Sequence, residues 1–97
     1  MVINIEEVDR EIAQLMQELR GSTRYTSLRY NSGKYERPNA PPFRTYDISG
    51  EAAGETTTHT AAMVYDPNQG DLKLCSNGTR TYQSLAPVIK HLRERFL

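Results

Sequence analysis

The sequence predicts an α+β domain, an antiparallel β-meander of about five strands flanked by an N-terminal and a C-terminal α-helix, in the order α-β-β-β-β-β-α. Three observations carry this. Apolar residues recur at helical spacing at both ends of the chain. The middle is made of short β-favouring runs. Turn signals separate those runs at intervals too short for crossover connections, so neighbouring strands pair antiparallel.

The first helix is expected over residues 5–20. Asn4 is a good N-cap, and Glu7 stands where a capping box places an acid. Ile3 and Val8 occupy the positions of a hydrophobic staple. Glu6, Glu7 and Asp9 favour the positive end of the helix dipole. Gly21 suits a left-handed closing turn. Ile5, Val8, Ile12, Leu15 and Leu19 follow one another at spacings of 3, 4, 3 and 4, a short heptad seam. Such a stripe packs on the chain's own sheet or pairs with its copy in a second subunit, and the second possibility marks these residues as a candidate oligomer interface.

Strands are expected at about 24–30, 43–48, 56–65, 72–76 and 79–82. In the first, alternation sets Arg24, Thr26, Leu28 and Tyr30 against Tyr25, Ser27 and Arg29. Residues 31–42 hold three prolines and a glycine and predict a long irregular loop. Residues 49–55 predict a Gly- and Ala-containing turn. Asp66-Pro67-Asn68-Gln69-Gly70 is a strong turn signal, and Asn77-Gly78 is a type I′ hairpin signal. The second helix is expected over 85–96, capped by Ser84 or Thr81, with Pro87 in its first turn. Its stripe is Leu85, Val88, Ile89, Leu92 and Phe96. The two helices would cover one face of the sheet.

At 97 residues the chain fits one domain, 1–97. Hydrophobic residues make up 37% and Trp is absent, a lean core for a free-standing monomer, which favours a homo-oligomer. Cys75 is the only cysteine, so the chain cannot form an internal disulfide, and a reducing cytoplasm, bacterial or phage-infected, is the natural setting. The N-terminal residues lack the basic start and apolar run of a signal peptide, and no stretch is long enough for a membrane span.

Net charge is zero but is laid down in blocks: −4 over residues 1–19, +5 over 20–46, −5 over 47–71 and +4 over 72–97. The blocks either neutralise one another across the fold or gather their bases on an anion.

Nothing in the sequence favours catalysis. Cys75 sits on a strand, far in sequence from His59 and His91, and is expected to be a core filler. His59 lies in a polar run and is expected to be exposed. Ser32-Gly33-Lys34 lacks the upstream glycine and the following Ser or Thr of a P-loop. No metal-ligand cluster is visible, and no cofactor or metal is implied.

The informative constellation is basic and aromatic: Arg24, Arg29, Tyr30, Lys34, Tyr35, Arg37, Phe43 and Arg44, with Arg93 and Arg95 as additions from the second helix. Arg forks bind phosphate, and aromatic faces accept bases. The expectation is a small non-catalytic binder of a phosphate-bearing small molecule such as a nucleotide. A first alternative is a protein-interaction module (inhibitor, adaptor or assembly factor) acting through the first helix and the 31–42 loop. A second is a single-stranded nucleic-acid binder, ranked lower because the pI is near 6.7.

Overall fold

The computed structural model of the chain describes residues 3–76 and 78–97. Helix α1 spans Ile5–Arg20, followed by β1 (Tyr25–Arg37), β2 (Ala40–Ala52), β3 (Thr58–Asp66), β4 (Asp71–Cys75) and β5 (Thr79–Tyr82), and α2 spans Leu85–Phe96. The five strands form one antiparallel sheet in sequence order, which is the expected α-β-β-β-β-β-α arrangement. The expected type I′ turn includes Asn77, which lies outside the described residues.

The expected loop at 31–42 is instead the body of a long hairpin. β1 and β2 are 13 residues each and pair from Tyr25↔Ala52 to Arg37↔Ala40, leaving only Pro38 and Asn39 at the tip. Asn39 takes φ 60°, a left-handed conformation that Asn tolerates. The prolines do not break the strand because of where they fall. The β2–β3 ladder begins at Arg44↔Tyr65, so Pro41 and Pro42 lie where β2 has a neighbour on one side only. A missing N–H costs least there. Arg37 Nε donates to the Pro41 carbonyl at 2.9 Å and closes the tip.

Residues 49–55 are likewise not all turn, because β2 continues to Ala52. Gly50 makes this possible. A Cβ at Gly50 would stand 2.7 Å from Tyr25 Cδ1, since the Tyr25 ring lies across that backbone. Tyr25 reaches it because the register shifts between Tyr25 and Ser27. This bulge turns Tyr25 to the same face as Leu28 and Tyr30, against the expected alternation. Its hydroxyl then donates to the Phe96 carbonyl at 2.7 Å, tying β1 to the end of α2.

Both helices cover the face that carries Tyr46, Ile48, Ala61, Met63, Tyr65, Leu72 and Leu74. Val8, Ile12, Leu15 and Leu19 are each at most 1% exposed within the single chain. The heptad seam is therefore used up by the chain's own sheet, and these residues are closed to a second subunit; Ile5 is half-buried at the margin. A stripe at 3–4 spacing is the same surface whether a sheet or a helix covers it. α1 begins as expected, with Asn4 Oδ1 accepting from the Glu6 N–H at 2.8 Å. It does not end as expected: Gly21 is right-handed at φ −77°, with its N–H on Gln17 O. At α2 the Ser84 side chain makes no cap bond.

One buried polar contact fixes α1 on the sheet. Tyr46 is fully buried, and its hydroxyl donates to Asp9 Oδ1 at 2.6 Å. Asp9 Oδ2 also meets Arg44 Nη2 at 3.5 Å. Burial pushes the Tyr46 phenol well above its ordinary range, and the bond to Asp9 and the repulsion from it add to the rise. Burial raises Tyr25 and Tyr30 in the same direction.

Three predictions follow from this packing. Leu15→Glu buries a charge in the sole core and should abolish cooperative unfolding by circular dichroism, with no folded monomer released. Gly50→Ala should displace the Tyr25 ring and cost about 1–3 kcal/mol in urea denaturation. Tyr46→Phe should cost about 1–2 kcal/mol near neutral pH. The native state holds the Tyr46 proton to higher pH than the unfolded chain does. Its contribution is therefore complete below the ordinary phenol pKa of 10.0 and declines as pH rises above it. The gap between wild type and Tyr46→Phe should narrow between pH 8 and pH 11.

Candidate functional site

The sheet's second face is open. Register determines what stands on it. Reading across β1, β2, β3 and β4, one row is Gly33, Thr45, Val64 and Lys73, and the next towards the hairpin tip begins with the pair Tyr35↔Phe43. These rows form a groove of about 360 Å³ lined by Tyr35, Phe43, Thr45, Val64, Asp66 and Lys73.

Aromatic faces and paired charges define this groove. The Tyr35 and Phe43 ring centroids are 6.3 Å apart at an interplanar angle of 39°. Tyr35 is 64% exposed, unusual for so large an aromatic side chain. The Arg37 guanidinium carbon lies 3.7 Å from the Phe43 ring centroid, a cation–π contact. Arg37 Nη2 also meets Asp66 Oδ1 at 3.4 Å. The same Asp66 oxygen accepts the Asn68 N–H at 2.9 Å, so Asp66 holds both its own turn and Arg37. Asp71, buried opposite Asp66 across β3 and β4, adds a second carboxylate. Lys73 is exposed and has no ion-pair partner among the described residues. Of the residues lining the groove only Asp66 and Lys73 are charged, so the lining carries no net formal charge.

The basic and aromatic residues expected to act together are dispersed. Only Tyr35, Arg37 and Phe43 meet here. Arg29 shares the open face, opposite Ser49, but lies six residues from Tyr35, about 20 Å along the strand. Tyr30, Lys34 and Arg44 point to the helix side of the sheet, where Arg44 meets Asp9. Arg24 donates to the carbonyls of Phe96 at 3.1 Å and Leu97 at 2.6 Å, securing the C-terminal turn. Arg93 pairs with Glu18 at 2.7 Å, and Arg95 Nε donates to Thr60 O at 2.7 Å. The physical reason is the pleat: adjacent residues of a strand serve opposite faces, and only register brings distant ones together. Lys73, Thr45, Val64 and Asp66 were not singled out from sequence. The signal for Lys73 was its place between Leu72 and Leu74, which alternation sends inward.

The remaining reactive groups occupy other places. Cys75 is exposed on the open face, not in the core, because Leu72 and Leu74 take the inward positions; its Sγ lies 3.4 Å from Thr79 Oγ1. His59 is not free in solvent. It stands edge-on to Tyr25 at 6.1 Å, 3.7 Å from Glu55, with Nε2 buried and without a hydrogen bond. His91 Nε2 and Ser76 Oγ are 2.9 Å apart, a pairing that sequence distance concealed. No carboxylate among the described residues bonds that imidazole to orient it as a general base, so the two side chains satisfy one another. Among the described residues no three His, Cys, Asp or Glu side chains gather at metal-binding distance, and no helix is long and apolar enough to cross a membrane.

The expected alternatives for the charge blocks are resolved in part by the ion pairs. Arg44–Asp9, Arg93–Glu18 and Arg37–Asp66 each join blocks of opposite sign across the fold. No family model, no curated protein and no solved structure matches the chain, so the groove's chemistry is the ground on which its function is argued.

Proposed function

We propose that the chain is a small, non-catalytic binding protein of the cytoplasm, working as a homo-oligomer, that holds a phosphate-bearing aromatic small molecule such as a nucleotide in the open-face groove. The observation that carries this reading is Tyr35, 64% exposed and set against Phe43 over a groove lined by Lys73, a cation with no ion-pair partner among the described residues.

The roles follow from the geometry. Tyr35 and Phe43 offer ring faces on which a base stacks, a contact worth ~1–3 kcal/mol. Phe43 is backed by the Arg37 guanidinium, which stiffens it. Lys73 supplies the ammonium for a phosphate. Asp66 and Thr45 line the groove between them and can bond the polar edge of the base. A volume of about 360 Å³ falls at the lower end of the ~300–1,000 Å³ typical of small-molecule sites. Zero net charge in the groove suits a ligand bearing one or two charges. It disfavours a strand of phosphates, which needs a continuous basic track.

Titration calorimetry with purine and pyrimidine nucleotides tests the proposal. Tyr35→Ala should weaken binding roughly 5- to 150-fold, the range expected from loss of one stacking face. Lys73→Ala should weaken it about tenfold and flatten the salt dependence. Lys34→Ala, on the other face of the sheet, should leave affinity unchanged. Unaltered binding in both Tyr35→Ala and Lys73→Ala would overturn the reading, as would a salt slope of several units with a single-stranded oligonucleotide preferred over mononucleotides.

A further inference from the structure

A second groove lies on the side away from the proposed ligand groove. It is a groove of about 620 Å³ between α1 and α2, with Leu85, Ala86 and Ile89 among its lining residues. Leu85 and Ile89 are only partly buried by the chain itself. α1 supplies an acidic rim, Glu7 and Glu11. α2 supplies Lys90 and Arg93, with Glu94 behind them. Arg93 is already held by Glu18 at 2.7 Å, and Lys90 has no ion-pair partner among the described residues.

We infer that this groove seats a second copy of the chain, about a two-fold axis running along it. Glu7, near the start of α1, shares the groove with Leu85 at the start of α2, and Glu18 near the end of α1 meets Arg93 near the end of α2. The two helices therefore run in the same sense. An axis along the groove preserves that sense and lays α1 of one copy over α2 of the other. Glu7 and Glu11 of each copy then face Lys90 of its mate, and the two apolar floors close on each other. An axis across the groove would set the acidic rim on itself, which like-charge repulsion disfavours. The interface is isologous and closed, so it ends at a dimer.

Its size sets its strength. Helices about 24 and 18 Å long and about 10 Å wide present on the order of 450 Å² per copy. A standard interface has about 800 Å² per partner, so this one belongs to the small, weak and reversible class. This inference gives an interface to the oligomer named in the proposed function and does not depend on the ligand. Val8, Ile12, Leu15 and Leu19 of α1 take no part, being buried in the fold.

Sedimentation velocity from about 1 to 500 μM at low salt tests it. Wild type should pass reversibly from monomer to dimer. Ile89→Glu, at the rim of the fold rather than in its core, should remain monomeric with an unchanged circular dichroism spectrum. Glu11→Lys and Lys90→Glu should each weaken association at least tenfold, and the doubly swapped Glu11→Lys/Lys90→Glu chain should recover it. A wild type that stays monomeric throughout would overturn the inference, as would a dimer indifferent to Ile89→Glu or a double swap that restores nothing. Nucleotide titration of Ile89→Glu separates the two proposals, because its open-face groove is intact whether or not it dimerises.

Discussion

β2 turns Tyr46, Ile48, Gly50 and Ala52 towards the helices and Thr45, Asp47, Ser49 and Glu51 away from them, and nearly every other feature depends on that division. β2 is long and touches both neighbours along most of its length. Its pleat therefore fixes which residues of β1 and β3 face the core. The Tyr46–Asp9 bond then fixes where α1 lies, and the Gly50 gap admits Tyr25, whose hydroxyl anchors the end of α2. A one-residue slip of β2 would expose Tyr46 and Ile48 and drive Asp47 and Glu51 into the core. No such slip is tolerable in a domain with one small core.

The parts of this fold that were legible in the sequence are those set by local chemistry. Asn4 stops the chain ahead of α1, the 66–70 turn brings β3 back as β4, and the apolar stripes name the buried faces of both helices. The parts that were not legible depend on what lies alongside. Pro41 and Pro42 read as strand breakers, yet they fall where β2 has outrun β3 and a missing N–H has little to lose. Tyr25 was placed on the wrong face because a bulge reverses it, and a bulge leaves no mark in residue type beyond the nearby small residues. The basic-aromatic pattern of residues 24–46 was real as composition. The pleat divides it, and the tip of the hairpin keeps only Tyr35, Arg37 and Phe43 together. Lys73 joins them through the register of the strands between, which no local spacing encodes.

The charge blocks show the same logic on a larger scale. Asp9, Glu18 and Asp66 each take an arginine from a block of opposite sign, so part of the apparent surplus holds elements together. The more exposed of these, Arg44–Asp9 and Arg93–Glu18, contribute little individually, about 0–1 kcal/mol, but all three decide which cations remain available. Lys73 and Lys90 are two of the cations without an ion-pair partner among the described residues, and they stand on opposite sides of the molecule. One stands beside an exposed aromatic pair, and the other stands on the rim of an apolar groove facing two glutamates.

That separation of faces bears on how a chain of this size can do two things at once. A sheet with helices on one side has one core and two outward surfaces: the bare face of the strands and the outer side of the helices. Burial of Val8, Ile12, Leu15 and Leu19 leaves Leu85 and Ile89 of α2, with Ile5 at the margin, as apolar surface on the helical side, while Tyr35 is the large aromatic left open on the strand side. Association through the helices consumes nothing that the strand face needs. A dimer built this way would carry its two grooves outward, on opposite poles and each complete within one chain. Binding at one would then leave the affinity of the other unchanged, unless Tyr46 and Asp9, which join α1 to β2 through the core, move when Tyr35 does. Tyr46 donates to Asp9 Oδ1 between β2 and α1, so that bond is the place where coupling between the two faces would pass.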